Sequence, residues 1–194
     1  MNVHLFNKIT EKLIENETIA AEDKELYEFG LKQAASSFLN IITTLFIGFI
    51  LSMVWQSIIF MVTYIPLRSY AGGYHARTPL RCYVFSVVLT VCVLFTMRFI
   101  PQDIVLIGIL LLGAGIVLFI FAPIGDKNKP LDEVEVRVFK KRMRIVLFIQ
   151  MVFCGLVWVL GFTWITLCMI VSIAVASVMV MVGVVNNMLK KNSI

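Results

Sequence analysis

A short polar segment holds the residues of this sequence that are best suited to chemistry. Arg68–Ser86 reads RSYAGGYHARTPLRCYVFS and separates two long apolar stretches. His75 and Cys82 lie seven residues apart within it, so an imidazole and a thiol can meet if the chain folds back between them. Because the thiolate is the nucleophilic form of cysteine, this pair predicts attack by Cys82 on a carbonyl carbon, with His75 moving the proton.

The residues before Cys82 favour its ionised form. Thr78 followed by Pro79 is typical of the N-cap and the first residue of a helix, which places Cys82 in the first turn. Unpaired backbone amides in that turn, together with Arg77 and Arg81, stabilise a negative charge. The local sequence therefore favours the thiolate of Cys82 over the thiol.

Four further residues of the segment are candidate supporting groups. Gly72 and Gly73 permit backbone angles closed to other residues, and they could cradle a substrate or supply amide donors to an oxyanion. Ser86 follows Cys82 by one helical turn, where its hydroxyl could orient the thiol, the imidazole or a substrate carbonyl. Arg68 is either a substrate contact or an anchor for the membrane topology.

Plainer interpretations of the cysteines and the histidine stay open. A His and a Cys in one loop can be a coincidence, and Cys82 could pack as a small apolar side chain, as we expect of Cys92, Cys154 and Cys168. The sequence has no CxxC spacing and no HExxH motif or acidic cluster near the loop. We therefore expect no disulfide, no metal and no cofactor.

Composition indicates that the rest of the chain lies in a membrane. Of its 194 residues, 60% are hydrophobic and 15% are charged, and the mean hydropathy is +0.93, values too apolar for a soluble domain. The net charge of +5 suits contact with anionic membrane lipid or an acidic partner. Because no basic and aromatic segment stands apart from the apolar stretches, nucleic acid is not a predicted partner.

The apolar stretches predict an all-α integral membrane protein with about six transmembrane helices in three hairpins. Two short helices share residues 33–67, with a break near Trp55, Gln56 and Ser57. The remaining spans are predicted at residues 82–97, 104–122, 145–162 and 164–185.

The chain is expected to be one membrane-embedded domain, because it shows no internal repeat and no linker. Residues 1–35 form an amphipathic N-terminal arm of one or two interfacial helices. Residues 36–186 form the transmembrane bundle, and residues 187–194 form a basic tail.

The distribution of Lys and Arg predicts the topology, since these residues collect on the cytoplasmic side of a membrane. The N-terminal arm, the 68–81 and 126–144 loops and the C-terminus would all be cytoplasmic, with Arg98 outside. Merging the first two helices gives five spans and moves the arm, with its four lysines, to the opposite face, which the same rule disfavours. We therefore expect a multi-pass protein of the cell membrane with its reactive loop on the cytoplasmic side.

The residues named above resemble the AgrB family, the membrane cysteine endopeptidases of bacterial accessory gene regulator quorum-sensing systems. The resemblance extends over the whole chain and rests on the GGYHA segment with Cys82 and Ser86 after it, and on APIGDKNKPL at residues 122–131. It implies that His75 and Cys82 are the catalytic pair, and that Arg68 and Gly73 support activity.

The resemblance also implies a substrate and a reaction. The substrate would be an AgrD-like propeptide with an amphipathic N-terminal helix and an acidic C-terminal tail. Removal of the tail through a thioester on Cys82 would lead to a thiolactone peptide. Lys127 and Lys129 are candidate substrate contacts, although Asp126 and Asn128 interrupt the run of lysines that some relatives carry there.

One alternative comes from a different class of protein. The chain could be a small, non-enzymatic transporter or scaffold subunit, in which the glycine loop is a gate and Cys82 is packing. The sequence also leaves a homodimer open.

Overall fold

Helices form almost all of the structure, a computed structural model that describes residues 3–16, 19–73, 79–101, 103–125 and 132–191. The α-helices of these ranges are α1 (Val3–Glu15), α2 (Lys24–Ile50), α3 (Val54–Ala71), α4 (Pro79–Phe99), α5 (Ile104–Phe121), α6 (Glu133–Val159) and α7 (Thr163–Lys191). A 3-10 turn, Ala21–Asp23, precedes α2. The predicted all-α class is confirmed.

The first of two compact units is Met1–Thr43. It contains α1 and the first part of α2, and Lys24 Nζ pairs with Glu11 Oε1 at 3.1 Å. The second interfacial helix predicted here is the start of α2, which continues without a break as an apolar helix. Residue 35, the predicted end of the arm, lies inside α2, because the alanines and serines around it are compatible with a continuous helix.

The second unit, Thr44–Ile194, is organised around α7. In the most apolar stretch of α7, 61% of residues are buried, against 22% in the corresponding stretches of α4 and α6. One core cluster joins α3, α5, α6 and α7 through side chains that include Leu67, Leu118, Met143 and Ile173. A second joins α3, α4 and α7. Helix α7 is thus the central packing partner of the bundle.

Length and composition identify the membrane-crossing helices. In the described part of the chain, four segments are long and apolar enough, namely Lys24–Ile50, Leu80–Phe99, Glu133–Val159 and Thr163–Leu189. The apolar segment Val105–Phe121 is shorter than these. Helix α3 has 18 residues, but Gln56, Thr63 and Arg68 interrupt its apolar sequence. The protein is therefore a helical membrane protein.

The structure moves two of the predicted helix boundaries. The break expected near Trp55 lies at residues 51–53, where Ser52 adopts a left-handed conformation with φ of 56°. The predicted 126–144 loop is helical from Glu133 onward, because Asp132 and Glu135 form a capping box at the start of α6. The basic residues from Arg137 to Arg144 therefore lie on α6, which extends beyond its apolar part. Similarly, α7 continues into the predicted basic tail as far as Lys191.

A contact from α6 supports the last turns of α3. Pro66 lies inside α3 and has no N–H to donate to the preceding turn. The Gln150 side chain on α6 donates to the carbonyl oxygen of Thr63 at 2.9 Å. This contact holds α3 against α6 near the point where α3 leads into the glycine pair.

Candidate active site

Cys82 lies in the first turn of α4, as the sequence predicts. The helix begins at Pro79, and Cys82 is half-buried with a free thiol. Ser86, one turn later, donates its hydroxyl to the carbonyl oxygen of Cys82 at 3.0 Å. In this structure Ser86 therefore stabilises the backbone that carries the thiol, and its hydroxyl is not directed to the sulfur.

Tyr64 on α3 is a neighbour of this region that the sequence analysis missed. Its hydroxyl lies within electrostatic range of both Arg68 and Cys82. The ring stacks on Phe60, with the ring centroids 5.0 Å apart. Tyr64 precedes Arg68 by one helical turn. This pair of polar side chains within an apolar helix was the signal that could have identified Tyr64 from the sequence. The C-terminal part of α3 thus lies near the start of α4.

The two glycines that follow α3 adopt conformations that other residues rarely reach. Gly72 has φ of 68° and Gly73 has φ of 109°, both in the region that favours glycine. The Arg68 guanidinium donates to the carbonyl oxygen of Gly72 and so closes the end of the helix. Arg68 and the glycine pair therefore form one unit, which we call the glycine turn (residues 68–73).

The glycine turn is bonded to the segment that follows α5. Ile124 N donates to Ala71 O at 3.0 Å, and Gly73 N donates to Ile124 O at 3.3 Å, which makes a short parallel bridge. A Cβ on Gly72 would overlap the Ile124 carbonyl oxygen, and one on Gly73 would lie 2.8 Å from the Met179 carbonyl oxygen. Glycine is thus required at both positions for packing, and the Gly73 N–H is occupied by Ile124.

Side chains from α6 and α7 reach the same end of the second unit. Asn187 Nδ2 on α7 donates to the carbonyl oxygen of Gly125 at 3.0 Å. The Arg142 guanidinium lies 5.9 Å from the centre of the Tyr70 ring, whose edge also contacts Phe139. One end of the second unit therefore holds the ends of α3, α5 and α7 and the starts of α4 and α6. The 68–81 and 126–144 loops, which were predicted to lie on one side of the membrane, require this arrangement.

Three predicted site residues, His75, Lys127 and Lys129, lie outside the described residues, so their placement stays a prediction. The structure brings Arg68, Gly72 and Gly73 together at the glycine turn. Sequence analysis assigned no role to Ile124 or Asn187, because their contacts join positions far apart in the chain.

A cavity lies at the other end of the bundle. It has a volume of about 560 Å³ and is lined by residues that include Ser52, Gln56 and Trp164. An adjoining cavity reaches Arg98, in the last turn of α4. Arg98 is separated from Cys82 by about 24 Å along the helix, at 1.5 Å per residue. This cavity is therefore separate from the candidate active site.

The fold and the described site define a class of protein, a helical membrane protein with a cysteine in the first turn of one helix and a packed glycine turn at the end of the preceding helix. The chain belongs to the AgrB family, accessory gene regulator B, whose family model matches residues 6–182. Membership places it in the accessory gene regulator quorum-sensing system, as a processing protein with a role alongside an AgrD-type propeptide.

Curated proteins with similar sequences carry the same family name. The chain is 29% identical over 175 residues to a putative AgrB-like protein of Clostridium perfringens (strain SM101 / Type A), covering 82% of this chain and 80% of the relative. It is 29% identical over 143 residues to a putative AgrB-like protein 2 of Clostridium perfringens (strain 13 / Type A), covering 70% and 65%.

A more distant relative is the accessory gene regulator protein B of Staphylococcus aureus (strain bovine RF122 / ET3-1). It is 24% identical over 128 residues, covering 66% of this chain and 68% of the relative. No solved structure matches the chain.

Proposed function

We propose that this protein is a membrane cysteine endopeptidase that removes the acidic C-terminal tail of an AgrD-type propeptide. The observation that carries the proposal is the position of Cys82, half-buried in the first turn of α4 near the end of α3 that carries the glycine turn. Unpaired amides at a helix start stabilise a thiolate. Membership of the AgrB family supports the choice of substrate.

The reaction begins when the Cys82 thiolate attacks the carbonyl carbon that precedes the acidic tail. The peptide C–N bond breaks, a carbon–sulfur bond forms, and His75 gives a proton to the departing amine. Amides at the start of α4 stabilise the oxyanion, whereas the Ser86 hydroxyl already donates to the carbonyl oxygen of Cys82. The Gly73 amide is a poorer candidate, because it already donates to Ile124. The product of this step is a thioester on Cys82.

A cysteine within the bound peptide then attacks the thioester. One carbon–sulfur bond replaces another, so Cys82 leaves as a thiolate while the peptide closes into a thiolactone. The peptide thiol loses its proton to His75, which returns to the state it held before the first step. Cleavage thus converts an amide into a thioester, and ring closure is the thioester exchange that releases the peptide.

Basic residues near the glycine turn are suited to the acidic tail. Arg137, Lys140 and Lys141 are exposed on the first turns of α6, at spacings that place them on one helix face. No ion pair involves them among the described residues. With Lys127 and Lys129 just before the helix, they would hold the tail beside Cys82. The positive charge also favours a cytoplasmic location for this end of the protein.

Trapping the thioester tests the proposal. The purified full chain is mixed with the propeptide encoded in the same genome, with the ring-forming cysteine of the peptide replaced by alanine to block the second step. We expect an adduct on Cys82 with the mass of the peptide without its tail, and we expect hydroxylamine to remove it. Loss of the tail without an adduct on Cys82, or an adduct on Cys92 instead, would overturn the mechanism.

Arg68→Lys is expected to lower tail removal about tenfold, since a lysine keeps the charge but lacks the planar fork of donors. The Arg68 side chain donates to Gly72 O and lies against Gly73. Arg98→Lys at the other end of α4 is the matched control and should retain wild-type activity. Wild-type activity in Arg68→Lys would instead favour a role as a topology anchor. The rate of tail removal in membranes measures both variants.

A further inference from the structure

We propose that Asn187, near the end of α7, is a positioning residue for the reactive loop. It acts on the glycine turn through the backbone of Gly125 and Ile124. The inference rests on the proposed peptidase function, because it assigns to Asn187 the task of holding the segment that leads to His75.

Hydrogen bonds and the backbone link between Ile124 and Gly125 connect Asn187 to the glycine turn. Its side-chain amide donates to Gly125 O at 3.0 Å. The adjacent residue, Ile124, accepts from Gly73 N at 3.3 Å and donates to Ala71 O at 3.0 Å. Gly73 precedes His75 by two residues. These contacts therefore fix the start of the loop that carries His75, the predicted base, relative to α7.

The link is made by backbone groups at every point except Asn187. Gly125 has no side chain with which to fix its own position, and residues 122–125 follow α5 without being helical. The Asn187 side chain ties this segment to α7, the most buried helix of the bundle. A substitution at Asn187 would thus weaken the bridge between Gly72 and Ile124 while Cys82 and the two glycines stay unchanged.

Asn187 lies beside a residue that provides a matched control. Asn186 and Asn187 are consecutive and both half-buried, but only the Asn187 side chain has a hydrogen bond to Gly125. Asn187→Asp replaces the donor by a carboxylate, which repels the Gly125 carbonyl oxygen. Asn186→Asp adds the same charge one position away. The pair separates loss of the hydrogen bond from the effect of a charge in α7.

The test measures Cys82 in two ways, with the full-length protein in membranes. The first is the kinetics of tail removal, for which Asn187→Asp should lower kcat about ten- to hundredfold and leave KM nearly unchanged, because misplaced catalytic groups slow the chemical step. The second is the rate of Cys82 alkylation by iodoacetamide as a function of pH. We expect the profile of Asn187→Asp to move towards that of His75→Ala, whereas Asn186→Asp keeps the wild-type profile.

Asn187→Leu removes the hydrogen-bond donor without adding a charge. If Asn187→Asp does not fold, the same two measurements on Asn187→Leu test the inference. Wild-type kinetics and a wild-type pH profile in a folded Asn187 variant would overturn the inference, as would equal losses in Asn186→Asp. The alkylation profile needs no substrate. If the wild-type protein formed no thioester, the proposed function would fail, while the profile would still report whether Asn187 affects the surroundings of Cys82.

Discussion

Cys82→Ala is expected to abolish removal of the acidic tail, whereas Cys92→Ala should leave it at the wild-type level. This is the largest effect we expect, because no other described residue can supply the nucleophile at the start of α4. The two cysteines lie on the same helix ten residues apart. Both variants therefore replace a cysteine of α4 by alanine and differ only in its position along the helix. Co-expression with the propeptide, followed by mass spectrometry of the peptide products, measures the outcome.

The same pair of variants separates the peptidase from a non-enzymatic membrane protein. In a transporter or scaffold subunit Cys82 would serve only as packing, so Cys82→Ala would leave the processing of the peptide intact. The mildest change, Cys82→Ser, keeps the size of the side chain but replaces the thiolate by a poorer nucleophile. Strong loss of tail removal in Cys82→Ser, with the protein still present in the membrane, would exclude a packing role.

The local sequence was sufficient to predict where α4 begins. Thr78 followed by Pro79 predicts a helix start because caps depend on adjacent residues, and the helix begins at Pro79. The one-turn spacing of Cys82 and Ser86 then follows from helix geometry, and the structure confirms it with a hydrogen bond. The helical surroundings of Cys82 were therefore predictable from a few neighbouring residues, while its role as the nucleophile stays a prediction.

Contacts between distant segments were not predictable in the same way. The bridge from Gly73 to Ile124 and the bond from Asn187 to Gly125 join residues separated by about fifty or sixty positions, and no local pattern encodes them. The charged start of α6 was interpreted as a loop because the spans were drawn from apolarity alone. Helix propensity and capping continue a helix beyond the membrane, so the charges of α6 mark the limit of its apolar part.

Gly72→Ala is expected to reduce tail removal at least about a hundredfold, the scale of loss that a misplacement of about 1 Å can cause. Gly72 has φ of 68° and ψ of −140°, a conformation that costs other residues about 1–3 kcal/mol. The added methyl group would also overlap the Ile124 carbonyl oxygen. The glycine turn must therefore separate from Ile124, which displaces the chain that leads to His75. The rate of tail removal and the thermal midpoint of the purified protein measure the effect.

Gly113→Ala is the matched control, because it lies in α5 with no atom within 4 Å of an added Cβ. It should keep wild-type activity and an equal or higher thermal midpoint, since alanine favours a helix more than glycine does. Gly73→Ala provides a second comparison: its methyl group meets Met179 and Arg68 while Gly72 stays unchanged. If both glycine variants lose activity and Gly113→Ala does not, the docking of the turn on its neighbours is required for catalysis. Wild-type activity in Gly72→Ala would mean that the bridge to Ile124 is not needed to place the reactive loop.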